Sequence, residues 1–231
     1  MSRRTATRLR GGVAAALAVA VAAAALAADA CTSPAAGAGG PARFAAHVSR
    51  LSPTMRHAMR GVSWRRGCPV ALGALRVVRL RFWGFDRRTH TGRLIVHARI
   101  GRRTVRAFRG LYAARFPIRR MRPVDAYGGS DAASMAADNT SAFNCRRVTG
   151  GRRWSQHAYG RAIDVDPREN PYVDGSTVLP PAGGPYRDRS RPRRGMILAG
   201  GPVTRAFAAA GLSWGGEFTG RTDYQHFERR R

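Results

Sequence analysis

Apolar residues recur along this chain with two periods, and the switches between them outline the elements. From 43 to 60, Phe44, Val48, Leu51, Met55 and Met59 fall at helical spacing, and Pro53 divides the expected helix into two pieces. The segment 75–82, with Val77, Val78, Leu80 and Phe82, reads as a strand. A turn over 85–92 leads into 93–100, where Leu94, Val96 and Ala98 alternate, so the two segments predict a hairpin. Val105, Phe108, Leu111, Tyr112 and Phe116 return to helical spacing over 104–116, and Pro117 stops that helix. A further strand is expected over 118–127. Gly128-Gly129 opens a loop or short helix through Met135, and 141–148 reads as extended. In 160–166, alternation puts Ala162, Asp164 and Asp166 on one face and Ile163 and Val165 on the other, in the core. Ala158-Tyr159-Gly160 makes the turn before it, with Gly160 able to take a positive φ. The Pro-, Gly- and Arg-rich segment 171–194 reads as a long surface loop. A short helix over 201–210 has Pro202 at its start and Gly211 at its end. No internal repeat is present. The fold class is α+β, a small antiparallel sheet flanked by helices.

The ends of the chain change this picture. Arg3, Arg4, Arg8 and Arg10 precede an apolar, alanine-rich run over 13–27, and Ala28-Asp29-Ala30 is a small-residue cleavage site. Residues 1–30 therefore read as a signal peptide, with an apolar run shorter than the ~20 residues a membrane span needs. Residues 31–43 read as a flexible tether, and 44–231 as a single domain. Cys31 follows the cleavage site, so membrane attachment through a lipid is one option beside plain secretion. Cys68 and Cys145 remain as an even pair in an oxidising compartment, where a disulfide is expected; two buried free thiols are the alternative.

The formal net charge is +28, and every cationic residue is arginine, with no lysine. An exported protein so charged is drawn to anionic envelope polymers. Nucleic acid is the rival partner for such charge, but an export signal and scattered arginines argue against it.

Candidate chemistry sits at two places. His157 and Asp164 lie seven residues apart across the tight turn, and His226 lies in Asp223-Tyr224-Gln225-His226-Phe227-Glu228. Two histidines and one carboxylate, with a position left open, form the ligand set of a catalytic zinc site. Asp223 is a spare carboxylate near enough to take a proton from water there. Trp154, Tyr159, Trp214 and Tyr224 are candidates for cleft walls, with core or rim packing as their ordinary alternative.

Ser155-Gln156-His157-Ala158-Tyr159-Gly160-Arg161-Ala162-Ile163-Asp164, followed by Asp223-Tyr224-Gln225-His226, resembles the VanY-type D-alanyl-D-alanine carboxypeptidases. These form a group with the D-Ala-D-Ala dipeptidases and the L-alanyl-D-glutamate endolysins. The resemblance extends over about 76–228. It implies one Zn²⁺ ion on His157, Asp164 and His226, in a cleft on the sheet, with Asp223 as general base. It implies that Ser155 helps to hold substrate and that an arginine stabilises the oxyanion: Arg146 as first choice, Arg122 as second. The implied activity is hydrolysis of D-amino-acid bonds in peptidoglycan stem peptides, most simply removal of terminal D-alanine, by a monomer in the cell envelope or outside it. Cleavage as an L,D-endopeptidase and a non-catalytic, zinc-containing wall-binding module are the alternatives. Asp223 separates the last from the others, since a binding module has no use for a base.

Overall fold

Why the middle of the chain turns where it does is visible in a computed structural model, which describes residues 43–229. The expected signal peptide and most of the tether, Cys31 included, lie outside the described residues. Strand β1 (Ala46–Arg50) pairs antiparallel with β2 (Leu75–Trp83), and β2 with β3 (Thr89–His97), so the predicted hairpin is present with β1 added at its open edge. The helix expected from residue 44 is therefore a strand up to Arg50. A spacing of four places Phe44 and Val48 on one side of a helix, but also on one side of a strand, and pairing with β2 decides between them. Helix α1 (Pro53–Met59) then starts behind Ser52, whose Oγ accepts the Met55 N–H at 3.1 Å, with Pro53 in the first turn.

Helix α2 (Ala98–Ala113) begins six residues before the position expected from its apolar spacing. The β2–β3 ladder runs out at Leu75 opposite His97, and His97 caps the helix by accepting the Arg99 N–H at 3.1 Å. Ala98 and Ile100 thus belong to the helix and not to the strand. Ile100, Thr104, Ala107, Phe108 and Leu111 form its buried stripe.

The strand expected over 118–127 is replaced by single bridges, Trp83 to Pro117 and Met121 to Thr140, followed by a 3₁₀ turn over Val124–Tyr127. Pro117 and Pro123 each remove a ladder donor, which leaves no run long enough to pair. Helix α3 (Asp131–Ala136) comes next.

The remaining strands are short: β4 (Ala162–Asp164), β5 (Tyr172–Asp174), β6 (Thr177–Leu179), β7 (Ser213–Trp214), β8 (Thr222–Asp223) and β9 (His226–Glu228). They form two further antiparallel sheets, ordered β4-β9-β7 and β6-β5-β8. The segment expected to be a long loop therefore contains a hairpin, β5–β6, turned by Gly175-Ser176, and then a 3₁₀ helix over Pro181–Tyr186. Helix α4 (Pro202–Ala209) lies where Pro202 and Gly211 predict it. The architecture is α+β, with three small antiparallel sheets in place of the single one expected.

Leu80, Leu94, Phe108, Ile163, Phe207 and Phe227 belong to the main core, where the Phe207 and Phe227 rings stack 3.8 Å apart. Ile163, and Val165 just beyond β4, anchor this segment there, as alternation predicts. A second cluster includes Leu51, Met59, Leu75, Ile95 and Phe143. Beside it the Cys68–Cys145 disulfide joins positions 77 residues apart. Among the described residues no helix is long and apolar enough to cross a membrane.

Candidate metal centre

Asp164 and His226 face each other because β4 and β9 pair antiparallel in the register Asp164 opposite His226. The other edge of Asp164 is held by Ser141, through reciprocal backbone bonds of 2.9 and 3.0 Å. His157 arrives from the turn before β4. Gly160 closes that turn with φ +64°, and a Cβ there would lie 2.7 Å from the His97 nitrogen, so both the sign of φ and the close approach require glycine. Ser155 Oγ accepts the His157 N–H at 3.2 Å and fixes the loop from within.

The three side chains converge. His157 Nε2 lies 3.0 Å from Asp164 Oδ2 and 3.2 Å from His226 Nδ1, and His226 Nδ1 lies 3.1 Å from Asp164 Oδ1. All three residues are buried, and each offers a ligand atom within 4.8 Å of the others. Ligands about 2.0–2.2 Å from a tetrahedral zinc stand roughly 3.3–3.5 Å apart, so the set fits such an ion with little adjustment. The opposite ring nitrogens are already engaged. His157 Nδ1 donates to the Ala142 carbonyl at 2.5 Å, and His226 Nε2 lies 3.2 Å from Glu228 Oε2. Those partners fix the tautomers and turn lone pairs on His157 Nε2 and His226 Nδ1 towards the common point.

The field at that point favours positive charge. Burial works against a cationic His226, yet hydrogen bonds to Asp164 and Glu228 outweigh it and push the group up to about 10. Burial would raise Asp164, and the neighbouring His157 and His226 instead hold it well below the usual carboxylate range. A site that would keep an extra proton on an imidazole also attracts a metal cation, for the same Coulombic reason.

Asp223 comes from β8, which pairs with β5 so that Asp223 stands opposite Tyr172. The hairpin inside the supposed loop therefore positions it. Gly215 lets this segment close up: a Cβ there would meet the Asp223 carbonyl oxygen at 2.6 Å and His226 Cβ at 3.1 Å. Asp223 Oδ1 is buried and accepts no hydrogen bond among the described residues. Burial, with the negative charge of Asp164 adding, pushes the carboxyl up to about 6 against the pull of His226, His157 and Arg146.

A cavity of about 810 Å³ is lined by His157, His226, Asp223, Ser155, Arg146 and Glu228, among others. Arg146 Nε lies 3.0 Å from Asp131 Oδ1 at the first turn of α3. Arg122 lines a different hollow with Met121 and Pro123, and its backbone is tied to the Asn139 side chain. Of the four aromatic candidates for cleft walls, Trp154 lines the 810 Å³ cavity and Tyr159 lines another. Trp214 is buried in the core, and Tyr224 packs against it and under Arg189.

Asp166 departs from its expected place on the face of Asp164. Its φ of +41° breaks the alternation, and its Oδ1 accepts the Arg119 N–H at 2.9 Å, away from His157, Asp164 and His226. The sequence places Glu228 on the same strand face as His226 without giving it a specific role, and it gives Asp131 none. The signal for Glu228 was its place two residues beyond His226 on a strand; Asp131 had none.

No curated protein and no solved structure matches this chain. A protein-family model does match, and it covers the turn, β4, β8 and β9, hence His157, Asp164, Asp223 and His226, while Arg122 and Arg146 fall before it. The resemblance read from the sequence is thus met over its second half, for residues 149–229 match the family described as D-alanyl-D-alanine carboxypeptidase, a family of peptidases.

Proposed function

We propose that this chain is an exported, monomeric, zinc-dependent peptidase that hydrolyses D-amino-acid bonds of peptidoglycan stem peptides, removing the terminal D-alanine. The observation that carries the reading is the buried meeting of His157 Nε2, His226 Nδ1 and the Asp164 carboxylate beside a carboxyl, Asp223, whose Oδ1 accepts no hydrogen bond among the described residues. When bound by the three ligands, zinc supplies Lewis acidity towards an amide carbonyl and towards water. The residues supply the rest. Asp223, its carboxyl pushed up to about 6 by burial, takes a proton from the attacking water at Oδ1 and returns it to the leaving amine. Arg146, braced by Asp131, faces the negative charge that develops on the carbonyl oxygen. Ser155 accepts the His157 N–H and keeps its hydroxyl hydrogen for a bound peptide. The cavity that these groups line is the cleft we assign to the substrate. The disulfide is compatible with an oxidising, extracytoplasmic location.

Purified protein loaded with zinc and incubated with a stem peptide ending in D-Ala-D-Ala tests the reading. Release of free D-alanine, followed by mass spectrometry, is the expected result. A zinc-loaded, folded protein that leaves this and every other stem-peptide bond intact would overturn it.

A further inference from the structure

We infer that a second cavity, lined by His97, Arg99, Arg103, Arg161 and Arg229, binds a linear phosphodiester polyanion without bases. The cavity measures about 820 Å³ and is completed by Pro69, Val70, Ile100 and Tyr159; among the described residues no carboxylate lines it. Four arginines thus line one hollow. Among the described residues no ion pair reaches any of them, since the acids that pair with arginine do so elsewhere: Asp131 with Arg146, Asp138 and Glu169 with Arg119 and Arg168, and Asp188 with Arg191. Arg103 donates one bond, to the Ala210 carbonyl at 2.7 Å.

The fold forces the cluster. Arg161 enters β4 and Arg229 leaves β9, and the Arg229 N–H donates to the Arg161 carbonyl at 2.9 Å. Arg103 Nη1 and Arg229 Nη1 both approach Gly211, so these two like charges are neighbours across it. His97 records the resulting field: burial first, and then Arg161, Arg99 and Arg76, hold its imidazole below the ordinary value. Like charges gathered around a hollow with no counterion among the described residues are relieved by an external anion, and guanidinium forks match phosphate oxygens well.

Geometry narrows the anion. The hollow is far larger than one phosphate, which suits successive charges of a polymer. Nucleic acid lacks a stacking platform here, because Tyr159 is the one lining aromatic and Arg161 lies over its ring at 5.8 Å. A membrane lacks an apolar wedge, because Ile100 is fully buried and only Pro69 and Val70 remain. Arg161 and Arg229 lie beyond one end of the β4–β9 ladder, and Asp164 and His226 form its other end. A polymer held here leaves the peptidase cavity free, so the two sites can engage the same wall at once. The inference does not depend on the peptidase reading.

The test uses the full chain with three probes: a poly(glycerol phosphate) oligomer, a single-stranded oligonucleotide of equal charge, and phosphatidylglycerol vesicles. Calorimetry reads affinity, and ¹H–¹³C NMR reads the His97 ring. Saturable binding of the oligomer with a shift of the His97 signals is expected. Arg99→Gln with Arg229→Gln, both exposed, should weaken it by about tenfold. The charge-matched control Arg79→Gln with Arg88→Gln, both exposed and outside the hollow, should change it less than about twofold. Equal weakening in both double variants, an unmoved His97, or no binding overturns the site. Oligonucleotide or vesicle binding as strong as the oligomer's, lost in the Arg99/Arg229 variant, overturns the partner.

Discussion

Replacing Asp138 by asparagine should make the protein more stable in mild base and leave it nearly unchanged in acid. Asp138 and Glu169 are almost completely buried at 4% and 0% exposure, with Asp166 beside them at 0%. Arg168 Nη2 donates to Glu169 Oε1 at 2.6 Å but stands 3.9 Å from Asp138 Oδ2, and Arg119 Nε is 3.5 Å from that oxygen. Two guanidinium groups therefore serve three acids. Burial, and then the neighbouring Glu169, push Asp138 up to about 7 against the pull of Arg168. An unfolded aspartate titrates near 3.9, so between roughly pH 4 and 7 the native state binds the extra proton. The stability tied to that proton is complete below about pH 4 and is lost as pH rises through about 7. Holding the carboxyl at about 7 in the fold against about 3.9 in the unfolded chain corresponds to roughly 4 kcal/mol at most. Asparagine suits the site. It tolerates the φ of +53°, and its Oδ1 can still accept the Arg168 N–H that Asp138 accepts at 3.0 Å. Urea unfolding at pH 5 and pH 8, with the disulfide intact, is the assay. The wild type should lose stability between the two pH values, and Asp138→Asn should lose less and exceed wild type at pH 8 by as much as about 4 kcal/mol. Equal pH slopes in the two proteins, or a variant weaker at pH 8, would show that the carboxyl is charged and well compensated in the fold.

The candidate metal centre yields sharper divisions. His157→Ala should abolish zinc binding and turnover together, whereas Asp223→Asn should keep the metal and lose turnover by about 10²–10⁴-fold; metal analysis beside kinetics distinguishes them, and full activity in Asp223→Asn would remove it as the base. Glu228→Gln should keep the fold but lower zinc affinity by about 10–100-fold, because the partner of His226 Nε2 loses its charge; competition with a chelator measures this, and unchanged affinity would reduce Glu228 to a bystander. Cys68→Ser with Cys145→Ser opens a link across 77 residues and should cost about 4 kcal/mol in denaturant unfolding. A loss below about 1 kcal/mol would mean that the second core cluster holds its loops without the link.

The meeting of His157, Asp164 and His226 could be read from the sequence because a turn and the strand after it carry two of them at fixed spacing, so local geometry brings them together. The hairpin β2–β3 and helix α4 were legible for a related reason, as alternation or end signals agree there with the tertiary pairing. Asp166 shows the limit. Alternation puts it beside Asp164, but one residue with φ +41° turns it towards Arg119 and Thr140. The alternating run does not announce that turn, because Asn170, four residues further along, holds it. The Asn170 side chain donates to the carbonyls of Val165, Asp166 and Gly195 at 3.3, 3.1 and 2.9 Å and accepts the Ile197 N–H at 2.7 Å. The loop that Asn170 secures also contains Arg189, whose guanidinium donates to the Asn170 side chain and lies 4.2 Å over the ring of Tyr224, next to Asp223. The segment 171–194, which composition alone presents as surface loop, thus supports both ends of the site: its hairpin aligns Asp223, and its arginine braces the turn after Asp164 and the chain before His226. Its Gly175-Ser176 pair between Tyr172-Val173-Asp174 and Thr177-Val178-Leu179 was the available sign of that hairpin, two short alternating runs around a two-residue turn. The dense glycine, proline and arginine around it hid the pattern, because they match the composition of a loop while the pairing partner, β8, lies almost fifty residues further along the chain.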